Sequence, residues 1–299
     1  MTAPIRHLGL GCIALAVGLA LNSVLGPLIT GVIDYRYTET FENQGIGLDA
    51  FALVVAVPLL IAAGVLALRG HLAAPFLALG PALMSAYMFP QYVLGAHYLD
   101  LPGNNEDFFP LHLGLFVLSV CVAVLAWLSI DSDGLPSTSR RFQFWTGALL
   151  FAVAGFLILR YVPSLIDIWR DHLPDEYVDD PIAFWLIAFM DLGIVMPAAV
   201  AGGLALWRGA QRAQKLMYAI VGWFALVGPA VAAMGFAMEV NDDPNASLGS
   251  AVAFTIYGAL FALLAAYLFR PLFRRAAAGV PAPARGEARL ASPAGPPSP

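Results

Sequence analysis

The 299-residue chain is 60 % hydrophobic and 12 % charged, with a mean hydropathy of +0.77 and a net charge of −5. Soluble globular chains carry about 25 % charged residues, so this composition excludes an ordinary soluble enzyme and points to the lipid bilayer as the chain's surroundings. With no basic domain, nucleic acid is excluded as a partner.

Taken in chain order, eight stretches offer the roughly 20 apolar residues that a helix needs to cross hydrocarbon. They are 8–31, 49–68, 72–94, 110–130, 142–162, 181–207, 215–238 and 249–270. The first follows Arg6 and His7 as a signal peptide would, but the uncharged run from Leu8 to Ile33 is too long for a short apolar core. It reads as a retained span. Pro27, Pro58, Pro75, Pro81, Pro90, Pro197 and Pro229 fall inside these stretches and predict kinks, because neighbouring helices can satisfy the freed carbonyls. The expected fold is all-α: a polytopic transmembrane bundle of eight spans over residues 1–270. Residues 271–299, rich in Pro, Ala and Gly, are expected to form a disordered cytoplasmic tail.

Charge gives the orientation. With the N-terminus inside, twelve of the fifteen basic residues fall in cytoplasmic segments and sixteen of the twenty acids at the outer face. Both termini are therefore expected in the cytoplasm. Arg outnumbers Lys fourteen to one, a usage that suits a GC-rich bacterial genome, so the expected location is a bacterial plasma membrane.

The two halves, about 8–130 and 142–270, share punctuation. Pro58 precedes Arg69-Gly70 by eleven residues, and Pro197 precedes Arg208-Gly209 by eleven. Gly80-Pro81-Ala82-Leu83 matches Gly228-Pro229-Ala230-Val231, and Ile33-Asp34 matches Ile166-Asp167. This predicts a duplicated four-helix unit. An even number of spans returns each unit to the side it entered, so the two copies would be parallel, with a solute site between them.

Asp191 stands out, ten residues into the sixth span and about 15 Å below its outer end at about 1.5 Å per residue. A carboxylate there costs roughly 2.5 to 3.5 kcal/mol on insertion scales, so it faces a partner or a watery path. It is read as a ligand for an ion or a small cationic solute, against a structural hydrogen bond as the alternative. Asn22 and Gln91, in the outer halves of their spans, and Arg160, near an outer end, are candidates for the same cavity. Glu239, ending the seventh span, is a candidate mouth of a pathway.

A second set lies at the outer face. His97 and His112 bracket a loop carrying Asp100, Glu106 and Asp107, while His172 lies in another acidic loop. Imidazole and carboxylate ligands in this grouping suit a divalent metal, although no HExxH spacing is present. A membrane-embedded metal-dependent enzyme is the alternative to transport, and a non-catalytic subunit or sensor is a third reading. No catalytic residues are assigned. Cys12 and Cys121 lie in apolar runs and form no CxxC pair. The sole lysine, Lys215, lies in a connecting loop, so no span carries a Schiff-base lysine. Neither GxxxxGK[ST] nor GxSxG occurs, which excludes the corresponding ATPases and serine hydrolases.

Overall fold

The structure, a computed structural model, describes residues 3–131, 135–136, 138–209 and 213–277. Among these residues the chain is all-helical. The long helices are α1 (Ala3–Leu25), α2 (Glu39–Leu68), α3 (Ala74–Leu94), α4 (Asn105–Ser129), α5 (Arg140–Ile168), α6 (Pro181–Arg208), α7 (Ala213–Val240) and α8 (Leu248–Ala277). A one-turn helix, Asp175–Asp179, precedes α6.

Seven of these, all but α3, are long and apolar enough to cross a membrane. The chain is thus a polytopic membrane protein with seven candidate spans among the described residues. The sequence reading of eight counted α3, whose apolar content is diluted by Pro75, Pro81, Pro90, Gln91, Tyr87 and Tyr92. Neighbours take the place of lipid around it: fourteen of its twenty-one residues are buried, against α2, α4 and α7. A helix so enclosed does not need an apolar surface all round.

The ends of the helices form two faces. On one, His97 N–H donates to the Arg36 carbonyl and Asn104 N–H to the Asp34 carbonyl. There too Thr38 Oγ1 donates to Asp180, and Asn43 to Asp243. On the other, Arg140 donates to the Leu206 and Trp207 carbonyls, Lys215 to the Ile130 carbonyl, and His71 lies against Phe273. Helix α3 runs between the same two faces as the others, starting just after residue 71 and ending just before 97.

Several boundaries differ from the sequence reading, three of them with a visible cause. α1 stops at Leu25, because Pro27 has no N–H to continue the ladder. α2 begins ten residues early, at Glu39, since Thr38 caps it by accepting from the Phe41 N–H and the polar first turns pack against α7. There the chains approach so closely that a side chain on Gly47 would strike the α7 backbone at Ala233 and Met234. α8 continues through Pro271 to Ala277, so the first residues of the expected tail are helical. The remainder, 278–299, lies outside the described residues.

α2 and α6 share one irregularity. Each contains a wide π-turn, Ala52–Ala56 in α2 and Asp191–Val195 in α6, beginning six residues before Pro58 and Pro197. The bond closing each turn spans five residues, from Val57 N–H to Ala52 O and from Met196 N–H to Asp191 O. A wide turn gives the proline ring room and absorbs the hydrogen bond it cannot make. Both helices are followed by a left-handed glycine, Gly70 (φ 72°) and Gly209 (φ 66°).

Candidate functional site

Two carboxylates lie within the bundle, each ten residues into its helix. α6 starts at Pro181, with Asp180 as N-cap accepting from the Ala183 N–H at 2.8 Å, and carries Asp191 at the opening of its π-turn. Each carboxylate oxygen takes one tyrosine hydroxyl: Tyr87 of α3 donates to Oδ1 at 2.6 Å and Tyr161 of α5 to Oδ2 at 2.7 Å. Asp191 remains half-buried.

Above it lies a cleft of about 550 Å³. Thr38, Glu39 and Gln44 of the α2 end form one wall, and Arg160, Tyr161, Glu176, Asp179 and Asp180 lie opposite. Ala183, Phe184 and Ile187 carry the lining down α6 toward Asp191. Tyr161 belongs to both, lining the cleft and bonding the carboxylate. The charged lining is four acids against one base. Arg160 pairs with Glu176, and its guanidinium lies 5.2 Å from the Tyr161 ring centroid. Asp180 accepts from Thr38 at 2.9 Å and meets His97 Nε2 at 3.0 Å.

The second carboxylate, Asp49, is fully buried. Its Oδ1 takes three donors: Tyr92 at 2.7 Å, Asn22 Nδ2 at 3.2 Å and Ser23 Oγ at 3.4 Å. Asn22 Oδ1 then meets His112 Nε2 at 3.1 Å, which makes that ring nitrogen the donor. Tyr35, Tyr37, Tyr92 and His112 stack about this group, with centroids 5.0 to 5.5 Å apart for the closest pairs. Burial pushes the hydroxyls of Tyr35 and Tyr37, on the loop after α1, well above the ordinary tyrosine range. They remain neutral: Tyr37 donates to the Gln91 carbonyl, and Tyr35 accepts from Asn22 Nδ2 at 3.4 Å.

The residues expected at one solute site are therefore divided. Arg160 lines the cleft and bonds Glu176, whereas Asp191 does not line it and is linked to it through Tyr161. Asn22 belongs to the Asp49 group. Gln91 donates to the Tyr87 carbonyl at 3.3 Å, and its backbone carbonyl accepts from Tyr37 at 3.0 Å. Glu239 ends α7, half-buried. Among the described residues lining the cleft, Asn22, Gln91 and Glu239 do not appear. The metal candidates are also separated: His97 turns to Asp180, His112 to Asn22, and Glu106 pairs with Arg36 at 2.8 Å. Asp100 lies in the loop turn, its N–H bonded to the His97 carbonyl. Among the described residues no three His, Cys, Asp or Glu side chains group as a metal site would.

Sequence reasoning missed Asp49, because hydropathy starts the second span at residue 49 and leaves the acid at a solvated end. The signal was local: Thr38 is a cap residue, and Phe41, Gly45, Leu48 and Ala52 recur at helical spacing upstream of the apolar run.

The described residues form a polytopic, all-helical membrane protein with seven candidate spans. No protein-family model matches the chain, and comparison with curated proteins and with solved structures finds none similar to it.

Proposed function

We propose that the chain binds a small cation or cationic solute in the outer cleft and carries it toward Asp191, as a transporter or a related binding protein. One observation carries this reading: Tyr161 lines a cleft of about 550 Å³ and donates to the carboxylate of Asp191, ten residues into α6. Acidic residues outnumber basic ones in the lining, and a low-dielectric wall of one sign raises the local concentration of cations. An ion-binding carboxylate at helix centre is a functional candidate by default.

The reading includes a topology. Helix α3 is taken as an eighth crossing, supported by its 21-residue length, about 32 Å at about 1.5 Å per residue, and by its run between the two end faces. Eight crossings put both termini on one side, and the distribution of basic residues assigns that side to the cytoplasm of a bacterial plasma membrane. The halves are taken as parallel repeats. The π-turns six residues before Pro58 and Pro197, and the left-handed Gly70 and Gly209, support that duplication.

The test uses purified protein in nanodiscs and a panel of inorganic monovalent cations, primary amines and quaternary ammonium ions. At least one class should raise the thermal midpoint of the wild type and lose that effect in Asp191→Asn. The stabilising compound should then enter vesicles bearing the wild type and fail to enter those bearing the variant. A panel without any Asp191-dependent stabilisation removes the reading.

A further inference from the structure

Asp49 has an unused oxygen. Its Oδ1 is crowded by three donors, while Oδ2, just as buried, has no hydrogen-bond partner. A bare anionic oxygen in such surroundings is costly, far more so than a neutral or ion-paired one. No lysine or arginine among the described residues reaches it. The titratable groups that face it are Tyr35 and Tyr37 from the loop after α1, Tyr92 from α3 and, through Asn22, His112 from α4. None of the tyrosines can supply a positive charge.

The space around Oδ2 is shaped by Gly26. A β-carbon on Gly26 would lie 2.9 Å from Asp49 Oδ2, 3.3 Å from the Asn22 carbonyl oxygen and 3.6 Å from the Tyr35 hydroxyl oxygen. Three oxygens from different segments therefore converge over a residue without a side chain. The Asn22 carbonyl already accepts from the Gly26 N–H at 2.8 Å but has a second lone pair. His112, donating through Nε2, turns the Asn22 amide so that its NH₂ faces Asp49.

The geometry points to a site for one positive charge at Asp49 Oδ2, filled by a proton or by a small monovalent cation such as sodium, beneath Gly26. A divalent ion is disfavoured, since such sites gather several carboxylates, and here one acid stands alone. The site is separate from the cleft and does not depend on how the cleft functions.

Two titrations of the full chain in nanodiscs distinguish the two occupants. In the first, the thermal midpoint is followed as sodium chloride replaces choline chloride at constant ionic strength. In the second, in choline chloride throughout, the infrared carboxylic-acid band of aspartate is followed against pH. At least one titrates in the wild type and is abolished in Asp49→Asn, while Asp191→Asn retains it. Gly26→Ala separates the sources: the added methyl weakens sodium by at least about tenfold, whereas a proton, needing no volume, still binds. If Asp49→Asn does not fold, Tyr35→Phe removes one oxygen without adding bulk and should weaken the sodium response. Asp49→Glu should shift the proton response rather than leave it unchanged. The proposal is overturned if neither quantity titrates in the wild type. It is equally overturned if the response survives Asp49→Asn, or is unmoved by Gly26→Ala, Tyr35→Phe and Asp49→Glu alike.

Discussion

Asp191 and Asp49 each lie ten residues into helices that share a π-turn and a proline, and α3 gives a tyrosine to each. Yet one lies under a 550 Å³ cleft and the other is sealed. Tyr161 makes the difference at Asp191, because it spans from the cleft lining to the carboxylate. At Asp49 the comparable positions belong to Asn22, Ser23 and a stack of aromatic rings. Depth alone therefore does not define the chemistry of a buried acid; its donors decide whether water can reach it.

The contrast can be broken first by deletion. Asp49→Ala takes the shared acceptor from three buried donors, leaving Asn22 only its long bond to the Tyr35 hydroxyl, and is expected to cost about 3 kcal/mol or more in chemical denaturation in detergent. Asp191→Ala, half-buried with two tyrosines, should cost about 1 to 2 kcal/mol. Equal losses would mean that the two sites are not sealed and open as described. An effect of similar size is expected at the edge of the sealed group. His112→Phe keeps the ring stack but frees the Asn22 amide oxygen, for about 1 to 2 kcal/mol, and unchanged stability would remove His112 from the group. Accessibility sharpens the comparison without a free-energy change: Ile187→Cys, in the cleft lining, should react with a water-soluble maleimide, and Ser23→Cys should not. Labelling of both would open the Asp49 site. The smallest effect belongs to Arg160→Gln, since its pair with Glu176 has both side chains more than 40 % exposed. Stability should change by less than about 0.5 kcal/mol, and a larger loss would show Arg160 to be bonded to more than Glu176.

Much of the fold was legible because hydropathy and proline spacing are strong signals, and Asp191 was found by counting down its span from Pro181. What escaped was where polar sequence is helical. Glu39–Asp49 has too little apolar character to be read as membrane helix, but packing on α7 and the Thr38 cap make it one. That shift carries Asp49 from a helix end to the third turn. His112 was read as an outer-face metal candidate, but α4 starts early with a 3-10 turn at Asn105–Phe108 and the ring is buried in the bundle against Asn22. The separation of His97 from His112 rests on contacts with Asp180 and Asn22, residues 83 and 90 positions away, and no local spacing encodes such distances.

The proline-rich character of α3 has a consequence for biogenesis. On the eight-crossing reading, a nascent α3 leaving the translocation channel does not partition into lipid by its own hydropathy. It has to wait at the channel beside α2, which emerges before it, until α4 follows, so that the three enter as a group. A chain halted before α6 emerges would hold Tyr87 without Asp191, the carboxylate that accepts its hydroxyl. Membrane quality control would meet that intermediate first.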